Sequence, residues 1–240
     1  MSRLIRSFYN GSIENETELV LEAEESHHLS RVLRRELGDQ IELLDGKGTV
    51  CKAECIEISK KFVKVKVLNL QKIPLVLPKI TMVIALTKGG KWEELIKPIT
   101  ELGVHRITPL ITNRTEVKVG EGIFQKKKNK YEKLALEACK QSGNPWLPQI
   151  DDPHEFESYL NTSKQSMFMA SLAANDSGLR VNKSLKSFDL MIGPEGGWTE
   201  KEEEQGLDAG VTFFSLGTTT LRAETAVISS LAVARNQFSD

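Results

Sequence analysis

The chain has 240 residues, enough to bury a substantial core in one large domain or two smaller ones. Its 32 Lys and Arg balance 33 Asp and Glu, so global charge supplies no attraction for nucleic acid and any basic face must be local. Cys51, Cys55 and Cys139 contain no C-x-x-C, and a strand would put the first two on one face but too far apart to bridge, so all three are expected as reduced core thiols.

The opening stretch MSRLIRSFYNGS lacks an apolar signal core, and no apolar run approaches the roughly 18 residues of a membrane span. A soluble cytoplasmic protein is expected. From Thr17 to Leu70 the pattern is strand-like: TELVLEA, then DQIELLDGKGTVCKAECIEIS, then KKFVKVKVLNL, which alternates apolar residues with lysine as a strand wet on one face does. LDGKG supplies the turn before the second long strand. Between the first two runs, EESHHLSRVLRREL places Leu29, Val32, Leu33 and Leu37 at helical spacing. These seventy or so residues predict a small barrel-like β domain carrying one short helix.

LQKIPLVLPK, residues 70–79, holds two prolines and no helical period and is expected to be a linker, which sets the domains at 1–72 and 73–240. Beyond it, ITMVIAL, ITPLIT, SMFMASL, FDLMIG and VTFFSL have the continuous hydrophobicity of buried parallel strands, with helical segments between most of them. They predict an α/β domain of about five parallel strands. KWEELIKPITELG gathers Trp92, Leu95, Ile96, Ile99 and Leu102 on one helical face, with a kink expected at Pro98, and KYEKLALEACKQSG does the same through Tyr131, Leu134, Ala135, Ala138 and Cys139.

Open α/β sheets bind ligands outside the carboxyl ends of their strands, where IGPEGGWTE lies. Gly193, Gly196 and Gly197 let a flat ligand approach backbone groups, and Thr199 with Glu202 has the form of a capping box. A phosphate is disfavoured there, because Glu195, Glu200, Glu202, Glu203 and Glu204 crowd the helix start with negative charge. A neutral or cationic ligand suits the loop better, and a plain strand-to-helix turn is the competing reading. A second turn of this kind, SLGTTTLRAETA, brings Arg222, Glu224 and Thr225 to the head of an apolar helix, and two such loops at one sheet edge define a cleft. Arg222 and Glu224 are two residues apart and do not face each other on a helix, so one is expected in the site and the other in structure.

HHLSRVLRR carries His27, His28, Arg31, Arg34 and Arg35, with His27, Arg31 and Arg35 one turn apart in a basic stripe suited to phosphates or, equally, to water. The adjacent histidines diverge by about 100° on a helix and have no evident third ligand, so no metal is expected. KKKNKYEK, Lys126 to Lys133, adds a second basic cluster, and the two together suggest one polyanion meeting both domains.

HHLSRVLRRELGD with LDGKG, TELGVHRITPLITNRT, EACKQSGNPWLP, IGPEGGWTEKE and LGTTTLRAETA resemble, in order and spacing over almost the whole chain, the RsmE family of small-subunit ribosomal RNA uridine methyltransferases. The resemblance implies a PUA-like RNA-binding domain, then a SPOUT methyltransferase domain whose C-terminal segment threads a trefoil knot around a parallel sheet. It implies a homodimer that uses S-adenosylmethionine, without metal or membrane, to methylate N-3 of a uridine in 16S rRNA or the small ribosomal subunit. Carried over by motif, Ile192, Gly193, Pro194, Glu195, Gly196 and Gly197 form one wall of the cofactor site. Leu216, Gly217, Leu221 and Arg222 form a second, Thr225 and Ala226 begin the knot helix, and Leu172 supplies a third contact. His27, His28, Arg31, Arg34 and Arg35, with Arg6, are the implied RNA contacts. Asn144, Thr219-Thr220 and Pro98 stand where the family usually carries basic residues.

Uridine's imide is weakly acidic, so the transfer needs a base or a stabiliser of the resulting anion. Glu195 and Glu224 are the candidate bases, and Arg222 and Arg114 of TNRT the candidate stabilisers. The reacting nitrogen lies on the Watson–Crick edge, so the uridine must be unpaired or flipped. Two other readings stay open: ribose 2′-hydroxyl methylation, and an RNA-binding ribosome-assembly factor without catalysis. The apolar run AVISSLAVA predicts a helix that needs cover on all sides, equally from its own domain or from a partner approaching over Ala226, Ser229, Ser230 and Val233, and the family resemblance implies the partner.

Overall fold

The computed structural model describes residues 5–59, 61–88, 91–116, 122–174 and 178–238. The chain divides into two compact units, Met1–Leu75 with Leu136–Leu147, and Val76–Ala135 with Pro148–Asp240.

The first unit is built on a five-stranded sheet of β1 (Arg6–Phe8), β2 (Glu18–Val20), β3 (Gln40–Leu44), β4 (Thr49–Ile58) and β5 (Val63–Lys72), in the order β1-β3-β4-β5-β2. Period-two patterning does what the sequence predicts. Cys51, Ala53 and Cys55 of β4 and Val63, Val65 and Val67 of β5 point into one core with Leu29, Ile41 and Leu43, while the lysines between them stay wet. Burial pushes the thiols of Cys51 and Cys55 up to about 11, and all three cysteines are free and buried.

In the LDGKG turn, one carboxylate oxygen of Asp45 accepts the N–H groups of Lys47 and Thr49, both at 2.8 Å. Gly48 has φ +90°, and a Cβ there would lie 2.4 Å from the Trp146 ring and 2.8 Å from the Ile73 carbonyl, so only glycine fits. β5 continues through Leu70, Gln71 and Lys72, which pair with Cys51, Val50 and Thr49. The irregular connection is therefore shorter than the expected linker and covers only residues 73–78.

The EESHHLSRVLRREL stretch departs from a regular helix. α1 (Ala23–His27) passes into a π-helical turn over His28–Val32, and Arg34 adopts φ +49°, ending the helix. Leu29 is fully buried, but Val32 and Leu37 are 60% and 67% exposed, so the apolar spacing did not mark a continuous buried face. Arg31 and Arg35 consequently do not lie one turn apart on a single helix.

Leu136–Leu147 packs with the first unit, which no sequence pattern indicated. Trp146 covers Gly48, the Arg6 guanidinium pairs with Glu42 at 2.6 Å and reaches the carbonyls of Lys140 and Gln141, and buried Glu25 takes Ser7 and Lys140. Arg6 thus has a structural task.

The second unit holds a parallel sheet of β6 (Lys79–Ala85), β7 (Arg106–Ile111), β8 (Gln149–Ile150), β9 (His154–Glu155), β10 (Ser166–Ala170), β11 (Ser187–Ile192) and β12 (Thr212–Phe214). Its order is β12-β10-β11-β6-β7-β8, with β9 also beside β7. The five expected strands are all present, and the two-residue β8 and β9 are too short to carry a pattern. Helices α2 (Lys91–Glu101), α3 (Ile123–Ser142), α4 (Phe156–Thr162), α5 (Glu200–Asp208) and α6 (Ala223–Asn236) connect or cover them. α2 runs through Pro98 and buries Trp92, Leu95, Ile96 and Ile99. Trp92 meets Phe124 and Tyr131 of α3 at ring-centroid distances of 5.9 and 5.0 Å. Asp189 of β11 is fully buried, accepting hydrogen bonds from Tyr159 and Ser163 at 2.8 and 2.7 Å, and burial raises its carboxyl above the usual range.

Candidate active site

The parallel registers bring the carboxyl ends of β10, β11 and β12 to one edge, with Ala170 opposite Phe214 and Met191 opposite Met169. Ile192 lies beside Ile84 of β6. The loops that leave this edge carry most residues expected at the cofactor site, with Ile192 at the end of β11 and Thr225 and Ala226 in the first turn of α6.

The loop after β11 is held from both sides. Trp198 donates its indole N–H to the Ala170 carbonyl at 2.8 Å and lies over Gly193, where a Cβ would come within 3.0 Å of the ring. Gly197 closes the turn by donating to the Pro194 carbonyl at 2.8 Å, at φ +69°, with open space where its side chain would be. The expected capping box forms: the Thr199 hydroxyl accepts the Glu202 N–H at 3.2 Å, and the Glu202 carboxylate accepts the Thr199 N–H at 2.8 Å.

Glu202 is 1% exposed, and its other oxygen accepts the Asn113 N–H at 2.8 Å. Arg114 donates from one nitrogen to the carbonyls of Gly196 at 2.6 Å and Trp198 at 3.0 Å. The turn after β7 therefore clamps the glycine loop. Two of the acidic residues counted against a phosphate are spent in structure, Glu202 in the cap and Glu203 on the Ser171 hydroxyl, whereas Glu195 and Glu200 remain exposed.

The loop after β12 is open, with Gly217 at φ +137° and no atom near its missing side chain. The Ser215 hydroxyl donates to the Gly217 carbonyl at 2.9 Å. Arg222 is the exposed residue capping α6. Leu216, Leu221 and Ala226 are half-buried, Thr225 is exposed, and Pro194 and Ile192 are buried. Leu172, on the loop after β10, is 82% exposed, an apolar side chain at the rim of the same edge.

Lys91, which the sequence reading did not single out, brings the two candidate bases together. Its ammonium lies 3.3 Å from a carboxylate oxygen of Glu195 and 3.3 Å from one of Glu224. The Glu224 carboxyl is held below its usual range, first by its own backbone N–H and then by Lys91, and the hydrogen bonds to Glu195 and Glu224 raise Lys91. Both shifts favour the charged forms, so the pair's attraction operates above the depressed Glu224 value and below the raised Lys91 value. The signal available in the sequence was position alone, since Lys91 opens the helix after β6, the strand next to β11. A cleft of about 490 Å³ lies on this side of the glycine loop, lined by Leu86, Lys88, Asn113, Arg114, Glu116 and Glu195.

In the first unit, His27, His28, Arg31 and Arg34 are exposed, while Arg35 pairs with Asp39 at 3.4 Å and donates to the Leu33 carbonyl. Of the second basic cluster, Lys126 and Lys127 are exposed, Lys128 pairs with Asp152 and Lys130 with Glu93. Among the described residues no group of three or more His, Cys, Asp or Glu is placed to hold a metal, and no helix is long and apolar enough to cross a membrane.

The unit with the clamped glycine loop and the small β unit bearing basic residues each match a family model, and the two together define a class: an RNA methyltransferase. Residues 75–235 match the model of the RNA methyltransferase domain and residues 21–68 that of the RNA methyltransferase PUA domain. The chain belongs to the ribosomal RNA small subunit methyltransferase E family. It is 32% identical to the Bacillus subtilis member over 97% of this chain and 95% of that protein. With the Synechocystis member it shares 33% identity over 90% of this chain and 72% of the relative. Among solved structures it superposes on the Neisseria gonorrhoeae enzyme of that name, bound to S-adenosyl methionine, with a TM-score of 0.89, 25% identity and 98% coverage of both chains. A Legionella pneumophila protein solved with the cofactor SAM gives 0.91 and 30%, again over 98% of both.

If Arg114 clamps the loop, Arg114→Ala frees the carbonyls of Gly196 and Trp198. Amide exchange at residues 195–198 should then quicken by roughly tenfold, as expected for losing a charge-assisted bond worth about 1.5 kcal/mol, while β6 and β11 keep their protection. Unchanged exchange in the loop contradicts the clamp.

Proposed function

We propose that this protein transfers a methyl group from S-adenosylmethionine to N-3 of a uridine in 16S ribosomal RNA. The observation that carries the reading is the meeting of Lys91, Glu195 and Glu224 beside the clamped glycine loop, at the sheet edge where the family motifs converge. The residues fit this cofactor. Gly197 and Gly217 leave open space beside their backbones, Leu172 offers an uncovered apolar contact, and the Glu224 carboxylate, held below its usual range, suits a cation that carries adenine and no phosphate. Leu172, residues 192–197, Leu216, Gly217, Leu221, Thr225 and Ala226 would hold it. When bound, it supplies an electrophilic methyl group whose broken carbon–sulfur bond leaves its electron pair on sulfur.

The chain's own residues manage the acceptor. The imide N–H bond breaks, its proton passes to a carboxylate, Glu195 or Glu224, and the electron pair left on nitrogen forms the new bond to the methyl carbon. Arg222, exposed at the head of α6, is the cation available for the negative charge on the pyrimidine oxygens. Arg114 is better suited to holding the loop, because the same nitrogen serves two carbonyls. Exposed His27, His28, Arg31 and Arg34 are the groups that would hold RNA phosphates, with Arg6 and Arg35 contributing less because both are tied internally. The C-terminal knot and a cytoplasmic location belong to the same reading.

A homodimer through α6 completes it. Val227, Ser230, Leu231 and Ala234 face the helix's own unit, which moves Ser230 out of the partner-facing set expected from the sequence. Ala226, Ile228, Ser229 and Val233 form the opposite, partly open face, with Val233 43% exposed.

N-3 methylation blocks pairing, so reverse transcriptase should stop at one position of 16S rRNA only after treatment with both enzyme and S-adenosylmethionine. Methyl recovered on ribose without a stop would favour 2′-hydroxyl chemistry. For the dimer, Val233→Glu or Ile228→Glu should convert a sedimenting dimer to monomer at micromolar concentration, and a monomeric wild-type protein that still methylates RNA would refute it.

A further inference from the structure

Lys91 is an unusual residue for its position. It is the first residue of α2, where the helix dipole disfavours a cation. Its two ion pairs are both 3.3 Å long and partly exposed, the side chains being 44% exposed for Lys91, 43% for Glu195 and 25% for Glu224. Exposed pairs of this kind contribute little to stability. A cation placed against the dipole in weak pairs does little for the fold. What it achieves is geometric: one ammonium joins the glycine loop after β11 to the starts of α2 and α6, two helices that pack against each other.

The two carboxylates it joins would repel each other without it. Glu224 also has one carboxylate oxygen shielded from solvent without a hydrogen-bond partner, while its other oxygen faces Lys91. The other charged groups facing the cluster are Arg222, which acts on Glu224 from the same helix end, and Arg114, which lies against Gly196 next to Glu195. Arg222 is exposed and Arg114 is bonded to the loop, leaving Lys91 as the cation within ion-pair distance of both acids among the described residues.

We propose that Lys91 is a positioning residue for methyl transfer: its ammonium, in ion-pair contact with both Glu195 and Glu224, holds the two carboxylates side by side next to the glycine loop, where one of them can accept the imide proton of the bound pyrimidine. The inference rests on the reaction proposed above. Lys91 itself stays protonated and passes no proton. Its hydrogen bonds to Glu195 and Glu224 raise it, which removes it from the list of bases. The same ammonium draws the glycine loop toward α6, so its loss should act on the chemical step more than on RNA binding.

The test compares wild type with Lys91→Met, which keeps the length of the stem without the charge, and Lys91→Arg, which restores the charge. Carboxyl carbons of labelled glutamate are titrated by NMR in the ligand-free protein, with Glu195→Gln and Glu224→Gln used only to assign the two signals. Lys91→Met should move the Glu224 midpoint upward, because a nearby opposite charge is removed, and Lys91→Arg should reverse most of this. In turnover, Lys91→Met should lower kcat on the order of a hundredfold with KM for RNA within a few-fold, and should move the acid limb of the kcat profile to higher pH. Thermal midpoints should stay within a few degrees of wild type. If the Glu224 midpoint does not move, or if activity falls and Arg does not rescue it, the proposal is wrong. If wild type makes no N-3-methyluridine at all, the proposed reaction is what fails, and the titration still decides whether Lys91 acts on Glu224.

Discussion

The buried carboxylate of Glu202 is the constraint on which the site depends. A carboxylate that is 1% exposed must have its oxygens satisfied or cost several kcal/mol, and here they are satisfied by the Thr199 backbone and hydroxyl and by the Asn113 backbone. Those partners belong to the glycine loop and to the turn after β7. Fixing one side chain therefore fixes the distance between two loops, and Arg114 adds its bonds to Gly196 and Trp198 across the same gap. The loop can be rich in glycine and still be held, because its rigidity comes from neighbours and not from its own side chains.

This arrangement also decides what the site can bind. With α5 capped by Thr199 and Glu202, that helix end has less to offer a phosphate than an uncapped helix does. Glu195 and Glu224 share the single ammonium of Lys91, so the two acids leave an excess of negative charge beside the glycine loop. A cation with a flat apolar portion, set against open backbone at Gly197 and Gly217, meets no such opposition.

Much of this was legible in the sequence because it is written in short-range patterns. Alternation in KKFVKVKVLNL, continuous apolar runs for β6, β7, β10, β11 and β12, and the Thr199 to Glu202 spacing all report local geometry, and each appears as expected. What escaped depends on contacts distant in sequence or on backbone detail. Leu136–Leu147 looks like the end of an ordinary amphipathic helix, and its place beside Arg6, Glu25 and Gly48 is set by tertiary packing. The HHLSRVLRR stretch has helical spacing, yet a π-helical turn and the positive φ of Arg34 break it, exposing Val32 and Leu37. Lys91 carries no motif of its own; its meaning comes from acids 104 and 133 residues further along, read from the numbering of Glu195 and Glu224.

The claim that organises these observations is that the loop edge is built for a cationic, phosphate-free methyl donor. Calorimetric titration of the purified protein with S-adenosylmethionine and, separately, with ATP tests it most directly, since both carry adenosine and they differ in the charge of what is attached. The account predicts saturable binding of S-adenosylmethionine and none of ATP at the same concentrations. Binding of ATP with no affinity for S-adenosylmethionine would contradict it.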